Sequence, residues 1–378
     1  MHPGLSILFF ALSAAAKNTT IGLETTEEGS KSVTVPMDDC HNLGDYEVLT
    51  VSVKTPCRFF TGALTKRERT GYIDAVFCMR KLPSVLPGDK YPGVKDRFDD
   101  FVATHINYTS NIHNDGLLLP WHRHFLYLFE KALRDECGYT GHLPYWDWSR
   151  YDNVNLTHTA LFDNSPTSLS GDGAYNPNEQ TICTPEGCMG RGTGGGCVTG
   201  GPFADWPTHL GPFQLVSLDQ LYRPLSQDAF RYNPRCLQRS FNQVLLRRYT
   251  NGSVVQDMLR SRTISELLRV LDPSVAGQVG AHPAGHIALG PTMTDVFSSV
   301  QDPVFFLHHG MVDRIWTLWQ DQGIERRYAL NGTGWIYDPP WAPLLTLDTE
   351  VEFGILDRAR KIRELMDPRA GDYCYFYV

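Results

Sequence analysis

The sequence has no excess of positive charge and no long apolar run, and each absence excludes a class of protein. Its 378 residues carry 34 Lys and Arg against 42 Asp and Glu, which gives a formal net charge of -8. The chain therefore lacks the basic surface to which nucleic acids and anionic membranes are attracted. No apolar run reaches the roughly 18 residues that a membrane-spanning helix needs. We expect neither a nucleic-acid partner nor a membrane anchor.

Patterns of regular β structure are also scarce. Alternation of apolar and polar residues rarely persists long enough to predict a strand, and no internal repeat occurs. Hydrophobic residues make up 42% of the chain and charged residues 20%, which supplies a core and excludes a disordered chain. The 33 Gly and 24 Pro favour long loops. We predict a single, mainly helical domain in which long loops connect the helices.

The N-terminus predicts export from the cell. An apolar run that starts at Leu5 ends in three alanines at 14–16, as in a secretory signal peptide. We expect residues 1–16 to be the signal and residues 17–47 to form a surface arm. Nine cysteines suit disulfide bonds in a secreted chain, and their odd number leaves at least one without an intrachain partner. Five glycosylation sequons agree with export, at Asn18, Asn107, Asn155, Asn251 and Asn331.

Capping boxes and apolar residues spaced by three and four predict the helices. Thr65 with Glu68 opens a helix that ends near Pro83, and a similar box at Thr263 opens one through Leu271. The remaining helical patterns cover residues 94–112, 121–137, 236–249, 253–260 and 303–320, with a weaker pattern at 355–366.

Residues 150–235 are rich in Gly, Pro, Asn and Cys. We interpret them as a long irregular insertion tied by disulfides through Cys183, Cys188 and Cys197, not as a linker between domains. The insertion contains a G-x-G-x-x-G pattern at residues 190–195. No strand is predicted before this pattern and no helix after it, so it does not predict a nucleotide site.

Six of the thirteen histidines fall into two sets of three. His282 and His286 are spaced i, i+4, so a helix would place both imidazoles on one face, where they can bind one metal. A single such pair also arises by chance, and packing in the core is the competing interpretation. Two sets of three in one exported chain favour metal sites. We interpret the neighbouring His124 and His308 as packing or supporting residues. The sets are His105, His113 and His122, and His282, His286 and His309.

The pattern narrows the choice of metal. Imidazole suits zinc, copper, iron and nickel alike. A zinc protease needs Glu in the segment between its histidines, where this chain has Pro283-Ala284-Gly285. Asp115 is the one acid inside the first set, which makes an iron site with a carboxylate ligand less suitable. Six neutral imidazoles without a thiolate favour a pair of copper ions that cycle between Cu(I) and Cu(II).

Three segments resemble the tyrosinases and catechol oxidases. Residues 113–130 (HNDGLLLPWHRHFLYLFE) resemble the CuA signature of that family, and residues 302–313 (DPVFFLHHGMVD) resemble its CuB signature. The PYWDW segment at 144–148 is also typical, and the resemblance spans roughly residues 57–378. It implies a four-helix bundle that holds a dinuclear copper site, within a copper-binding domain at residues 48–378.

The resemblance also implies the ligands and the reaction. The CuA motif at 105–130 would supply His105, His113 and His122, and the CuB motif at 282–313 would supply His282, His286 and His309. Oxygen would be the co-substrate, and o-diphenols would be oxidised to o-quinones while oxygen is reduced to water. Arg123 and Asp313 are candidates to support the ligands through hydrogen bonds to the second ring nitrogen of a histidine.

Several positions depart from the family pattern. Relatives have a Glu four residues before the first CuB histidine and an Asn after it, which hold a water that deprotonates monophenols; this chain has Gln278 and Pro283. An amide does not titrate and Pro has no side-chain donor, so we predict stronger oxidation of diphenols than hydroxylation of monophenols. Val296, at the position of a bulky residue over CuA in many relatives, predicts an open site. Asn111 replaces the Cys that some relatives crosslink to a CuA histidine.

Two alternatives to a general phenol oxidase stay open. One is a tailoring oxidase of secondary metabolism that acts on a phenolic intermediate or a tyrosine-containing peptide. The other is an oxygen carrier similar to haemocyanin, which would use the same copper pair without turnover. The small Val296 and the expected lack of a C-terminal shielding domain argue against a carrier.

Overall fold

The computed structural model describes residues 23–25, 31–33, 57–58, 61–151, 153–179, 181, 183–184, 187–213 and 221–377. The predicted signal peptide, most of the predicted surface arm and the sequon at Asn18 lie outside these residues. Within them, no helix is both long enough and apolar enough to cross a bilayer.

α-Helices dominate the described residues. They are α1 Lys66–Met79, α2 Arg97–Tyr108, α3 Leu118–Cys137, α4 Gln243–Tyr249, α5 Gly252–Arg260, α6 Ile264–Leu271, α7 Ala281–Ile287, α8 Pro291–Thr294, α9 Val304–Gln320 and α10 Ile362–Leu365. The strands are short and lie in two-stranded pairs. They are β1 Leu23–Thr25, β2 Lys31–Val33, β3 Cys57–Arg58, β4 Gly173–Tyr175, β5 Cys183–Thr184, β6 Gly187–Cys188, β7 Gly195–Val198, β8 Pro207–Thr208, β9 Arg235–Cys236, β10 Glu350–Val351, β11 Arg360–Lys361 and β12 Phe376–Tyr377.

Four helices, α2, α3, α7 and α9, surround the centre of the core. Buried phenyl rings join three of them. Phe129 of α3 stacks on Phe306 of α9 with 3.4 Å between ring centroids, and Phe98 of α2 meets both rings edge-on at 6.0 Å. α7 approaches α9 closely because Gly285 has no Cβ; a Cβ there would lie 2.2 Å from the Cε1 atom of His308. The predicted helical bundle with its mainly α fold is confirmed.

The segment between α3 and α4 is irregular and tied by disulfides, as predicted. Cys183–Cys188 closes the β5–β6 hairpin, and Cys197–Cys236 joins β7 to β9. A third disulfide, Cys78–Cys137, links the ends of α1 and α3. Cys374 is also disulfide-bonded. These links hold long loops in place where few hydrogen-bonded elements could do so.

Three of the predicted helical segments are clearly shorter in the structure. The pattern at 94–112 is helical only over α2, whose start is set by Asp96: its carboxylate accepts a hydrogen bond from the N–H of Asp99 at 3.1 Å. The pattern at 236–249 becomes helical only at α4, because the preceding residues belong to β9 and the extended chain after it. The weak pattern at 355–366 is wrong over most of its length, because β11 pairs with β10 and leaves only α10.

A buried ion network joins both ends of the described core to the bundle. β3 and β12 pair in parallel. Arg58 of β3 donates to Glu130 of α3 at 2.8 Å, to Tyr377 of β12 at 3.0 Å and to Asp313 of α9 at 3.3 Å. Its guanidinium also lies 3.7 Å from the ring centroid of Tyr375. The network fixes α3 and α9 relative to each other.

Candidate metal centre

The structure brings the six predicted histidines together as two triads. The first triad is His105, His113 and His122, and one ring nitrogen from each lies within 4.8 Å of the others. His105 comes from the last turn of α2, His113 from the following loop and His122 from the first turns of α3. Asp115 fixes the entry into α3, since its Oδ1 accepts from the N–H of Leu118 at 3.1 Å. The first triad is thus carried by one helix–loop–helix segment.

The second triad is His282, His286 and His309. His282 and His286 lie on one face of α7, as their i, i+4 spacing predicted, and His309 faces them from α9. The three Nε2 atoms form a close triangle, with separations of 3.1 Å between His286 and His282, 3.2 Å between His286 and His309, and 3.4 Å between His282 and His309. The two triads adjoin: the ring centroids of His113 and His282 are 6.1 Å apart.

Hydrogen bonds orient five of the six rings through their Nδ1 atoms. Because the partners are carbonyl or carboxylate oxygens, Nδ1 carries the proton and Nε2 keeps a free lone pair. The acceptors are the carbonyl of Phe297 for His105 (2.9 Å), of Thr109 for His113 (2.9 Å), of Leu118 for His122 (2.8 Å) and of Met293 for His286 (3.0 Å), and the carboxylate of Asp272 for His282 (2.9 Å).

Burial favours the neutral form of five of the six imidazoles. Desolvation lowers the pKa of His105, His122, His286 and His309 well below the ordinary value, and nearby histidines lower it further. Burial and the neighbouring His282 lower the pKa of His113 to about 4. A metal binds only the deprotonated nitrogen, so these rings are ready to act as ligands at neutral pH.

The residues present fit two metal ions. The Nε2 atoms of His105 and His122 are buried and have no hydrogen-bond partner among the described residues. Such an unpaired polar atom costs about 1–3 kcal/mol unless something binds it. In each triad a metal ion would bind three imidazoles and no thiolate, a donor set that copper accepts.

Asp272 is a functional residue that the sequence analysis did not identify. It follows α6, ten residues before His282, and it is buried. One carboxylate oxygen accepts from Nδ1 of His282, and the other accepts from the main-chain N–H of Asn114 at 2.7 Å. It thereby links the second triad to the loop that carries His113. The turn between α6 and α7 is irregular, so no residue spacing predicts that Asp272 lies beside His282. The one local signal is that a polar residue follows directly after a predicted helix.

Arg123 and Asp313 were predicted to form hydrogen bonds to the histidines, but in the structure they bind each other. Nε of Arg123 donates to Asp313 at 2.6 Å, and both side chains are buried. Arg123 also donates to Thr317 at 3.0 Å, while the phenol of Tyr377 donates to Asp313 at 2.6 Å. Neither residue makes a described hydrogen bond to an imidazole of the triads. The expected direct bonds are wrong because a buried guanidinium and a buried carboxylate bind each other first; the pair instead joins α3 to α9.

The three predicted activity-tuning positions differ in burial. Gln278 is exposed, in a turn where its N–H donates to the carbonyl of Val275 at 3.1 Å. Pro283 is half-buried on α7, directly after His282. Val296 is also half-buried and directly precedes Phe297, whose carbonyl holds His105. A fourth histidine, His308, brings a ring nitrogen within 4.8 Å of the second triad.

One further group has the donors of a metal site but is an ion-pair network. Asp96, Asp99 and His209 bring their donor atoms within 4.8 Å of one another. Arg80 occupies the space between the carboxylates, with distances of 3.1 Å to Asp96 and 2.7 Å to Asp99. His209 donates to the second carboxylate oxygen of Asp99 at 2.6 Å, and the main-chain N–H of Lys95 donates to the same oxygen at 2.9 Å. The guanidinium already supplies the positive charge that these carboxylates need.

The comparisons with known proteins agree on one family. A family model described as the common central domain of tyrosinase matches residues 95–322. The chain is 50% identical over 326 residues to Tyrosinase P of Aspergillus terreus, which covers 84% of this chain and 90% of that protein. It is 47% identical over 333 residues to N-acetyl-6-hydroxytryptophan oxidase ivoB of Emericella nidulans, with the same two coverages.

A solved structure resembles the fold closely. It is a mutant form of polyphenol oxidase from Thermothelomyces thermophila, with a TM-score of 0.78 and 36% sequence identity. The match covers 86% of this chain and 89% of that one.

Proposed function

This chain belongs to the tyrosinase family of copper-dependent phenol oxidases, and on that premise we propose its reaction in detail: it oxidises o-diphenols to o-quinones with O2 and hydroxylates monophenols more slowly. As a type 3 copper oxidoreductase it needs two copper ions. The observation that supports the proposal is the pair of adjoining triads, each with three imidazoles. The oxidation balances when two diphenols each lose two electrons and two protons while one O2 is reduced to two waters.

We assign the ligands residue by residue. His105, His113 and His122 would hold one copper ion, and His282, His286 and His309 would hold the other. When bound, the copper pair supplies oxygen binding and electron transfer. The carbonyls that hold Nδ1 orient the rings before any metal arrives, which reduces the reorganisation that metal binding requires. Asp272 does the same for His282 and adds a negative charge that makes that imidazole a better donor.

Apolar residues keep water away from the histidines. The ring of Phe305 lies 4.2 Å from that of His309 and 5.1 Å from that of His105, measured between centroids. This buried ring therefore packs against one imidazole of each triad. A dry surround strengthens the interaction between bound metal and developing phenolate charge.

The preference for diphenols rests on the lack of a suitable base at the two predicted positions. Gln278 carries an amide and points to solvent, and Pro283 has no polar side chain. The Asp272 carboxylate, the closest acid to the second triad in the hydrogen-bond network, is occupied by His282 and Asn114. A monophenol must lose its proton before hydroxylation. The diphenol is more acidic and therefore depends less on a protein base for its deprotonation. Val296 leaves the approach to the first triad open to substituted phenols.

Oxygen uptake by the copper-loaded chain tests this proposal. Catechol and its matched monophenol, phenol, are run in parallel at equal concentration. The proposal expects uptake with catechol to exceed uptake with phenol by at least roughly tenfold. Comparable rates would contradict the preference for diphenols, and no uptake with either would contradict oxidation of simple phenols.

A dedicated substrate in secondary metabolism is a second candidate. It is favoured by the 47% identity to a relative whose name specifies N-acetyl-6-hydroxytryptophan as its substrate. A phenolic intermediate of that size, or a tyrosine-containing peptide, would be such a substrate. The ratio of kcat/KM for N-acetyl-6-hydroxytryptophan to that for catechol separates the two functions: a ratio well above one supports a tailoring role.

Export and domain organisation are also proposals. We infer a catalytic domain at residues 48–378 that follows a signal at 1–16 and an arm at 17–47. The disulfides Cys78–Cys137, Cys183–Cys188 and Cys197–Cys236 support export, because such bonds persist in oxidising compartments. Sequencing the N-terminus of the secreted chain tests the cleavage site.

A further inference from the structure

A tryptophan contacts the fourth histidine beside the second triad. Trp148 and His308 are both fully buried. The indole Nε1–H of Trp148 donates to Nδ1 of His308 at 3.1 Å. Trp148 is held in place by its own segment, because the main-chain N–H of Trp146, two residues earlier, donates to the carbonyl of Leu307 at 2.9 Å. The indole is therefore fixed against the start of α9.

His308 has the location of a ligand. Its ring is parallel to that of His282, with 5.5 Å between centroids and 16° between planes, and it meets the ring of His286 edge-on at 4.4 Å. Gly285 leaves room for it, as described above. Its Nε2 atom is buried without a side-chain partner among the described residues, and the main-chain carbonyl of His282 lies close enough to the ring to accept a hydrogen bond from it. Location and burial alone would make His308 a fourth imidazole for the metal of the second triad.

The hydrogen bond from Trp148 gives His308 the wrong tautomer for that role. An indole N–H can only donate, so Nδ1 of His308 must accept with its lone pair. A neutral imidazole has one protonated nitrogen, and the proton of His308 therefore lies on Nε2. Neither nitrogen then has a lone pair free for a metal. The rings of the second triad whose Nδ1 is bonded, His282 and His286, have the opposite tautomer, with Nε2 free.

We propose that Trp148 excludes His308 from copper coordination by fixing its tautomer, so that the second triad binds its copper with three imidazoles and keeps a position open for oxygen. This inference rests on the proposed ligand set. Without the indole, the proton of His308 can move to Nδ1, and Nε2 becomes a fourth ligand. A fourth imidazole would hold copper more tightly and slow its reaction with oxygen.

The test is Trp148→Phe in the full copper-loaded chain. We expect it to bind two copper ions, to release one of them to a chelator roughly tenfold more slowly than wild type, and to take up oxygen with catechol more slowly. X-ray absorption should show more imidazole nitrogens per copper than in wild type. A merely structural role for Trp148 predicts the reverse, since a loosened site releases copper faster. Equal or faster release in Trp148→Phe overturns the proposal.

Two control variants isolate the hydrogen bond. Trp146→Phe removes a buried indole whose ring lies 6.2 Å from that of His308 and whose Nε1 has no described partner, so copper release should stay at the wild-type rate. Adding His308→Gln to Trp148→Phe should restore the wild-type release rate, because the amide does not replace imidazole as a copper ligand. Slow release in that double variant would contradict the proposal.

If Trp148→Phe fails to fold, His308→Gln still tests whether His308 is a ligand in the native protein. We expect this variant to keep two copper ions and the wild-type release rate, whereas loss of one copper would show that His308 is a ligand in the native protein and overturn the inference. The copper content of the wild type distinguishes this failure from a failure of the proposed function. Wild type without two copper ions contradicts the ligand assignment itself, and wild type with two leaves only the role of Trp148 in question.

Discussion

His122 and His309 stack face to face, with 4.1 Å between ring centroids and 14° between ring planes. They belong to different triads and to different helices, α3 and α9. The stack therefore helps to fix the distance between the two triads. The Arg123–Asp313 ion pair, one residue after His122 and one helical turn after His309, joins the same two helices. The spacing of the proposed copper pair is thus set by the packing of α3 against α9.

Asp272→Ala should weaken copper binding at the second triad. The change removes the acceptor for Nδ1 of His282 and the bond to Asn114, and loss of such a partner typically costs 10–100-fold in metal affinity. Competition with a chelator measures the affinity of each copper ion. Asp272→Asn keeps an acceptor oxygen and should lose less. Wild-type affinity in Asp272→Ala would show that the carboxylate does not position the ring.

Gln278→Glu should raise the rate of monophenol hydroxylation relative to diphenol oxidation. The substitution introduces a carboxylate that can accept the phenolic proton. Gln278 is exposed, so the new carboxylate should not disturb the fold. Parallel turnover of phenol and catechol gives the ratio, with Gln278→Asn as the neutral control. A ratio equal to that of wild type would mean that this position does not hold the water assigned to it.

Glu130→Gln should destabilise the fold in a pH-dependent way. Burial opposes ionisation of Glu130, but the Arg58 guanidinium, with His142 and Arg134, outweighs burial and lowers the pKa from 4.5 to about 2. Breaking a buried ion pair from one side costs about 3–5 kcal/mol. Because the folded-state pKa is depressed, this stabilisation is complete above about pH 4.5 and is lost as the pH falls towards 2.

Urea unfolding of wild type and Glu130→Gln at several pH values measures whether the stabilisation by Glu130 falls as the pH is lowered. The difference in the free energy of unfolding should shrink by roughly 2 kcal/mol between about pH 6 and about pH 3. Glu136→Gln is the control, since Glu136 is on the same helix but pairs with Arg97 near the surface; it should cost less than about 1 kcal/mol. If the difference in the free energy of unfolding does not change with pH, Glu130 does not form an ionised buried pair with Arg58.

The helices and the six histidines were predictable because each has a local signal. The Thr65 capping box forms as expected, with Glu68 accepting from the N–H of Thr65 at 2.7 Å. The apolar spacing of α3 and α9, and the i, i+4 spacing of His282 and His286, depend only on neighbours along the chain. The resemblance to the tyrosinases then supplied the pairing of distant histidines, which no local pattern contains.

What could not be predicted depends on contacts between distant segments. Asp272 reaches His282 across a turn without a repeat, and Trp148 meets His308 across 160 residues. Arg123 was expected at a histidine because it adjoins His122, yet adjacent residues on a helix point in different directions. The strand pair β10–β11 likewise overrides a weak helical pattern, because pairing is decided by tertiary contacts.

The copper content of the purified chain tests the central claim most directly. Wild type should bind about two copper ions per chain and take up oxygen with catechol, while His286→Ala should bind about one and take up none. His124→Gln is the control, because its ring bonds Tyr373 and Asp357 at 2.8 Å and lies outside both triads; it should keep both copper ions. Two copper ions and full oxygen uptake in His286→Ala would contradict the assignment of the second triad.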